Sequence, residues 1–260
     1  MVAVVLTAVF SAASAAEPNG RQIIDQVFDR QDRSYEYEEQ IMTLVEQSGA
    51  KEERLVKRYK RGVEGGSRAL LVFTEPAGVK GTALLTWHYD KKDDDQWLYL
   101  PALEDKLKRI AEGGMRNYFM GTDYTYEDLT SESRDKFAYE RQPDDVLEGQ
   151  ACFVVDATPV DETLKKESGY QSRRLWIRAD IYFIIRTDFF DRRGRLIKQQ
   201  THEKLRKIEG DTWRADVAIM KNVQKKHLTA IQTTKRSFEE KEVPAEFFTS
   251  RFITSGQHVR

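Results

Sequence analysis

The chain has 260 residues, 40% hydrophobic and 33% charged, which excludes both a disordered chain and a multispanning membrane protein. Forty-two basic against forty-three acidic residues leave a formal net charge of −1, so no global basic excess points to nucleic acid. The length suits one large β domain or two small ones.

The first sixteen residues stand apart. MVAVVLTAVF is apolar except for Thr7, and SAASAA follows before charge begins at Glu17. An apolar run ending in small residues is the pattern of a secretory signal peptide, although no Lys or Arg precedes it. Ala13-Ser14-Ala15 and Ser14-Ala15-Ala16 are both candidate cleavage triplets; a buried N-terminal helix is the alternative. The run is short of the roughly 20 apolar residues that a membrane span needs. Residues 17–260 are then expected to form one exported, soluble domain. The only cysteine, Cys152, rules out an intrachain disulfide and reads as a buried strand thiol. No cysteine follows the signal-like segment, so no lipid anchor is expected there.

Residues 18–31, PNGRQIIDQVFDRQ, predict the one substantial helix. Ile23, Ile24, Val27 and Phe28 fall on one face, and Asn19 with Gln22 offers a capping box. Period-two strands follow. Tyr37, Ile41, Thr43 and Val45 alternate along the first. The return strand carries Arg54, Lys57, Arg58, Lys60 and Arg61, read as a solvated face rather than a site for anionic headgroups. SRALLVFTEP and GTALLTWHYD present Leu71 with Phe73, and Leu85 with Trp87; QWLYLPAL adds Trp97.

Residues 111–134 break the rhythm with three glycines, two methionines and four aromatic residues. A short helix is expected at Tyr124 to Leu129. Strands then resume to the C-terminus, with a hairpin turn at Asp191 to Gly194 and a helical turn within Pro244 to Phe252. The count is about ten to twelve strands in an antiparallel meander. A sheet of that size curls rather than staying flat, and whether its interior is filled core or ligand cavity is not decided by periodicity.

Catalytic signals are few. There is no P-loop, G-x-G-x-x-G or G-x-S-x-G. His88 and His202 read as exposed strand residues, and the four histidines lack metal-binding spacing. Asp123, Glu127 and Asp128 sit in the insertion; helix capping and loop contacts are the simpler reading than a glycosidase pair. No catalytic residue, metal or cofactor is assigned, and the chain is not expected to be an enzyme.

Three segments carry a resemblance: Phe73-Thr74-Glu75-Pro76, Gln96-Trp97-Leu98-Tyr99-Leu100-Pro101 and Phe119-Met120-Gly121-Thr122-Asp123. With YFIIRTDFFDRRGRLIK they resemble the LolA-like family of outer membrane lipoprotein-sorting proteins over nearly all of residues 17–260. The resemblance implies a mainly β fold, a half-open antiparallel β-barrel with an N-terminal helix and a short helical lid. It implies a soluble periplasmic carrier that holds the acyl chains of lipoproteins or lipids for transfer toward the outer membrane. An inner-membrane RND-type exporter is an implied partner, and the carrier is expected to be a monomer. The family's lid-locking arginine has no matching position here. The alternative is an RseB-like sensing or interaction module acting with a membrane transporter or regulator.

The expected apolar cavity and lid comprise Leu71, Phe73, Leu85, Trp87, Trp97, Phe119, Met120, Phe183 and Ile185. Leu85, Trp87, Phe183 and Ile185 are expected to face one shared interior. Gly113 to Leu129 is expected to be a movable rim in which Phe119 or Met120 touches cargo; a rigid loop plugged into the core is the alternative.

Overall fold

The computed structural model describes residues 17–103, 106–111, 113–131 and 133–259; the signal-like segment lies outside them. Helix α1 (Gly20–Gln31) forms where the apolar spacing places it. The Asn19 side chain accepts from the Gln22 backbone N–H, and the Gln22 side chain accepts from the Asn19 N–H, each at 2.9 Å. That reciprocal pair satisfies donors that the first helical turn leaves orphaned. Gly20 is needed for close approach: a Cβ there would lie 2.6 Å from the Tyr139 carbonyl oxygen.

Six strands follow in order: β1 (Tyr35–Val45), β2 (Lys51–Val63), β3 (Gly66–Glu75), β4 (Ala83–Tyr89), β5 (Asp95–Tyr99) and β6 (Leu107–Arg109). After the insertion come β7 (Phe137–Leu147), β8 (Gln150–Pro159), β9 (Ser172–Arg178), β10 (Phe183–Phe190), β11 (Leu196–Glu209), β12 (Thr212–Asn222) and β13 (His227–Ser237). All thirteen join one antiparallel sheet in the order β6-β5-β4-β3-β2-β1-β13-β12-β11-β10-β9-β8-β7. The chain therefore steps outward from β1 to one edge, crosses, and steps back from the other edge to close on β1. The sheet is not closed, as a half-open barrel requires.

The expected strand count falls short of thirteen by one to three, and β6 is only three residues long. The hairpin turn between β10 and β11 forms where expected; Asp191 accepts from the Arg193 and Arg195 N–H groups, and Gly194 takes φ of +71°. The insertion's expected helix is a single 3-10 turn at Glu127–Leu129. Near the C-terminus a 3-10 turn (Ala245–Phe248) precedes a short helix, Ser250–Thr254. A further short helix, Glu162–Glu167, follows β8; it has no buried residue and therefore no apolar stripe in the sequence. Among the described residues no helix is long and apolar enough to cross a membrane.

Cross-strand register separates the two faces of the sheet. Tyr37, Tyr59, Leu70, Leu85 and Trp97 pair in a row on one face; Glu38, Arg58, Leu71, Leu84 and Leu98 pair in a row on the other. The second, inner face carries α1 and the insertion. Ile23, Ile24 and Val27 of α1 pack on Val155, Leu175 and Ile177. The first, outer face is covered near β1–β5 by Val243, Phe248 and Ile253 from the C-terminal segment. Each such aliphatic or Phe side chain, fully buried, contributes about 1.5–3 kcal/mol. Cys152 is buried on the outer face beside Val154 and Trp176 and forms no disulfide.

The basic residues of β2 do not form one solvated face. Strand alternation sends Arg54, Arg58 and Lys60 inward and Lys57 and Arg61 outward. Arg54 is 6% exposed and donates to the Met120 carbonyl at 2.7 Å. Arg61 pairs with Glu240.

Candidate functional site: the interior under the insertion

The insertion runs across the inner face and is bound to it at many points. Phe119 has no exposed surface; it stacks on Phe73 with ring centroids 5.6 Å apart and meets Tyr126 edge-on. The Asp123 carboxylate accepts from the Thr229 hydroxyl, which in turn accepts from the Asp123 N–H, each at 2.9 Å. Asp128 forms a tight ion pair with Lys198, whose side chain is fully buried. Asp128 also accepts from the Tyr170 hydroxyl at 2.8 Å and the Thr125 N–H at 2.6 Å. Burial pushes the Lys198 ammonium below its ordinary pKa, and the Asp128 carboxylate opposes that shift. Glu127 accepts from the Ser168 hydroxyl at 2.6 Å and the Gly169 N–H at 2.9 Å. The carboxylates of the insertion thus serve loop contacts.

Two cavities lie between the inner face and this cover. The first, about 410 Å³, has apolar walls from Ile110, Met115, Phe137, Leu164, Leu175 and Ile184. The second, about 440 Å³, is walled by Leu71, Leu84, Leu129, Phe183, Ala218 and Ile231. They meet at a common boundary formed by Asp128, Thr130, Ser131, Gln200 and His202. Residues from β3 and β10 line the second cavity together. Strands that far apart in the order meet only because the sheet curls.

The second cavity also has a charged wall. Arg214 bonds Glu36 at 2.8 Å, Arg236 bonds Glu38 at 2.7 Å and Asp216 at 3.2 Å, and Arg58 bonds Glu38 at 3.1 Å. Gln40 donates to Glu38 at 2.9 Å. Burial is the largest single influence and would raise the Glu36 pKa, but Arg214, Arg58 and Arg236 together hold the carboxyl below its usual range. Both partners of each ion pair are present, so the wall is neutralised rather than poised for a free ion. The interior is more polar than the apolar strand faces alone predict.

The nine residues expected in the cavity and lid divide by face. Leu71 and Phe183 line the second cavity. Phe73 and Phe119 pack on each other beneath the insertion, and Met120 is partly buried beside them in the left-handed region, φ +47°. Leu85, Trp87 and Trp97 lie on the outer face, where Trp87 donates to the Phe248 carbonyl at 3.0 Å and meets Trp97 edge-on at 5.1 Å. Ile185 packs with Cys152, Val154 and Trp176 on the outer face. A β-bulge between Ile184 and Arg186 breaks the parity that links Phe183 to Ile185. The shared interior expected for Leu85, Trp87, Phe183 and Ile185 therefore does not form. The strands are apolar on both sides because each side is covered by a different segment.

Two histidines depart from expectation. His88 is 7% exposed and bonds Asp94 at 2.9 Å, lining the second cavity. His202 lines both cavities, and burial pushes its pKa down to about 4 against a hydrogen bond to the Ile184 backbone. Its parity with Gln200 on β11 was a signal available in the sequence; nothing local marked the cover above it.

A family model described as that of an uncharacterized protein matches residues 65–255. No curated protein matches the chain. Among solved structures, a domain assigned to outer membrane lipoprotein sorting from Vibrio parahaemolyticus is 30% identical with a TM-score of 0.83, covering 90% of this chain and 97% of its own. A DUF1329 family protein from Desulfovibrio piger is 26% identical with a TM-score of 0.83 and the same coverage. A LolA superfamily protein from Nitrosomonas europaea shares the fold at 15% identity, TM-score 0.71, over 91% of this chain and all of its own. The class is a curled, open antiparallel sheet with an internal cover. The chain belongs to the LolA-like family.

Proposed function

We propose that the protein is a non-enzymatic periplasmic carrier that holds acyl chains of a lipoprotein or lipid within the curled sheet and delivers them toward the outer membrane. The observation that carries this reading is the pair of adjoining cavities beneath the insertion, each with an apolar stretch of wall. Their volumes fall in the range of small-molecule binding sites. Moving an acyl chain from water into such a space recovers about 0.8 kcal/mol per CH₂ and requires no reacting group. The assignment of the Vibrio relative to lipoprotein sorting supports the same reading. An RND-type exporter as donor rests on the family resemblance alone.

Native mass spectrometry of protein purified from its own envelope tests the proposal. Adducts that extract as acylated molecules are the expected result. A protein that carries no acylated adduct and binds no apolar fluorophore would overturn it; a stable protein complex free of lipid would favour an interaction module.

A further inference from the structure

Charge is balanced over the whole chain, at a formal net −1, but not at one end of the sheet. The β10–β11 turn reads Asp191-Arg192-Arg193-Gly194-Arg195, and the β12–β13 turn with its flanks reads Lys221-Asn222-Val223-Gln224-Lys225-Lys226. The fold sets the two side by side. Lys198 of β11 pairs with Asn222 of β12, and the Val223 N–H donates to the Ile197 carbonyl at 2.9 Å. Six basic residues thus share one tip of the sheet with a single carboxylate, Asp191. Arg195 and the Arg193 and Arg195 N–H groups already occupy that carboxylate. All six basic residues are exposed. Among the described residues, Arg193, Lys221, Lys225 and Lys226 have no ion-pair partner.

The neighbouring segments leave this charge standing. The β1–β2 turn, Glu46 to Lys51, carries one charge of each sign, and the short helix Glu162–Glu167 carries two of each. Arg192 donates to the Lys166 and Ser168 carbonyls, which are neutral acceptors. Val223, 38% exposed, stands among the cations as an uncovered aliphatic side chain. The tip also touches the insertion: the Asn222 amide donates to the Tyr118 hydroxyl at 3.0 Å, and the Lys225 ammonium lies 4.2 Å from the Tyr118 ring centre. None of the six basic residues lines either cavity. Exposed turns with unpaired, flexible cations do not present the fixed pattern of charges that a folded acidic partner would match. They suit a layer of anionic headgroups, which move laterally to meet them, with an aliphatic side chain entering at the acyl boundary.

We propose that the β10–β11 and β12–β13 turns form a docking surface for an anionic lipid bilayer, with Val223 entering the headgroup layer. Docked in this way, the protein turns the Tyr118 side of the insertion toward the membrane. The inference concerns the surface on which the protein rests and not what its cavities hold, so it stands or falls apart from the carrier reading. Each Lys or Arg close to an anionic surface strengthens binding about fivefold, and salt weakens that attraction.

Flotation of the purified protein with vesicles tests it, using phosphatidylcholine alone and an equal mixture of phosphatidylcholine and phosphatidylglycerol. The protein is expected to float with the mixture and not with phosphatidylcholine, and to bind less as salt is raised. The triple variant Arg193→Gln, Lys221→Gln, Lys226→Gln should lose more than about tenfold in affinity for the mixture, with an unchanged denaturant midpoint. A control that removes the same charge from exposed positions on the β4–β5 turn and the far half of β11, Lys91→Gln, Lys204→Gln, Lys207→Gln, should lose far less. Depth is read separately. Cys152 is buried, so Val223→Cys offers an accessible thiol for a polarity-sensitive dye. Its emission should shift to the blue on the mixed vesicles only. Equal flotation with both vesicles, or equal losses in the two triple variants, would overturn the proposal. So would flotation with neither vesicle; retention on immobilised polyglutamate in that case would assign the tip to an acidic protein partner instead.

Discussion

Phe119 and His202 are the residues where environment decides behaviour. Phe119 is fully enclosed between Phe73 and Tyr126. Phe119→Ala is expected to destabilise the fold by about 3–5 kcal/mol, as large aromatic truncations in cores do. Urea denaturation reads this directly; a change under about 0.5 kcal/mol with weakened cargo binding would show instead that the ring sits on a detachable cover. His202 makes a pH prediction. Its folded pKa, about 4, lies below its ordinary 6.5. The unfolded state therefore binds the proton first as pH falls. The stability associated with the neutral ring is complete above pH 6.5 and is lost as pH falls from there toward 4. His202→Gln should lose less stability than the wild type between pH 7 and pH 4.5, measured by denaturant midpoint. Equal losses in both proteins would contradict the buried, neutral assignment.

At the scale of elements, the insertion is held by a buried ion pair that has no solvent to replace it. Lys198→Met leaves Asp128 buried with only the Tyr170 hydroxyl and the Thr125 N–H. Breaking such a pair from one side costs about 3–5 kcal/mol. The double variant Lys198→Met with Asp128→Asn is expected to recover part of that loss, and a double-mutant cycle measures the coupling. Asn19→Ala at the start of α1 removes one half of the capping box and should cost about 0.5–2 kcal/mol, read from the thermal midpoint. The helix was legible because Ile23, Ile24 and Val27 repeat at its period, and the insertion because its glycines and aromatics interrupt an alternating pattern. The faces of β3–β5 were not legible. Leu70 and Leu71, or Leu84 and Leu85, are equally apolar, and only the covering segments distinguish them. The charged wall was hidden for another reason: Glu36 meets Arg214 and Glu38 meets Arg236 across 178 and 198 residues of sequence. A basic strand looks solvated until its distant carboxylates are known.

The whole molecule depends on two covers, one on each side of a single sheet. The C-terminal cover shields Leu70, Leu85 and Tyr99 and packs against Trp87 and Trp97. A chain stopped after Phe238 is expected to expose this apolar face, bind an apolar dye strongly and self-associate. Light scattering and dye fluorescence on the shortened chain test this; a monomer with unchanged dye binding would contradict it. The other consequence concerns connectivity. Thirteen strands in this order are joined by twelve pairings, so the ladder is a path with two ends rather than a ring. In a closed barrel, girth is fixed by strand number and stagger, and any swelling must break a full row of hydrogen bonds. Here the topology leaves the ends at β6 and β7 free to spread or approach with every pairing intact. On the carrier reading, a bulkier passenger would strain the crossing segment and leave the strands themselves untouched.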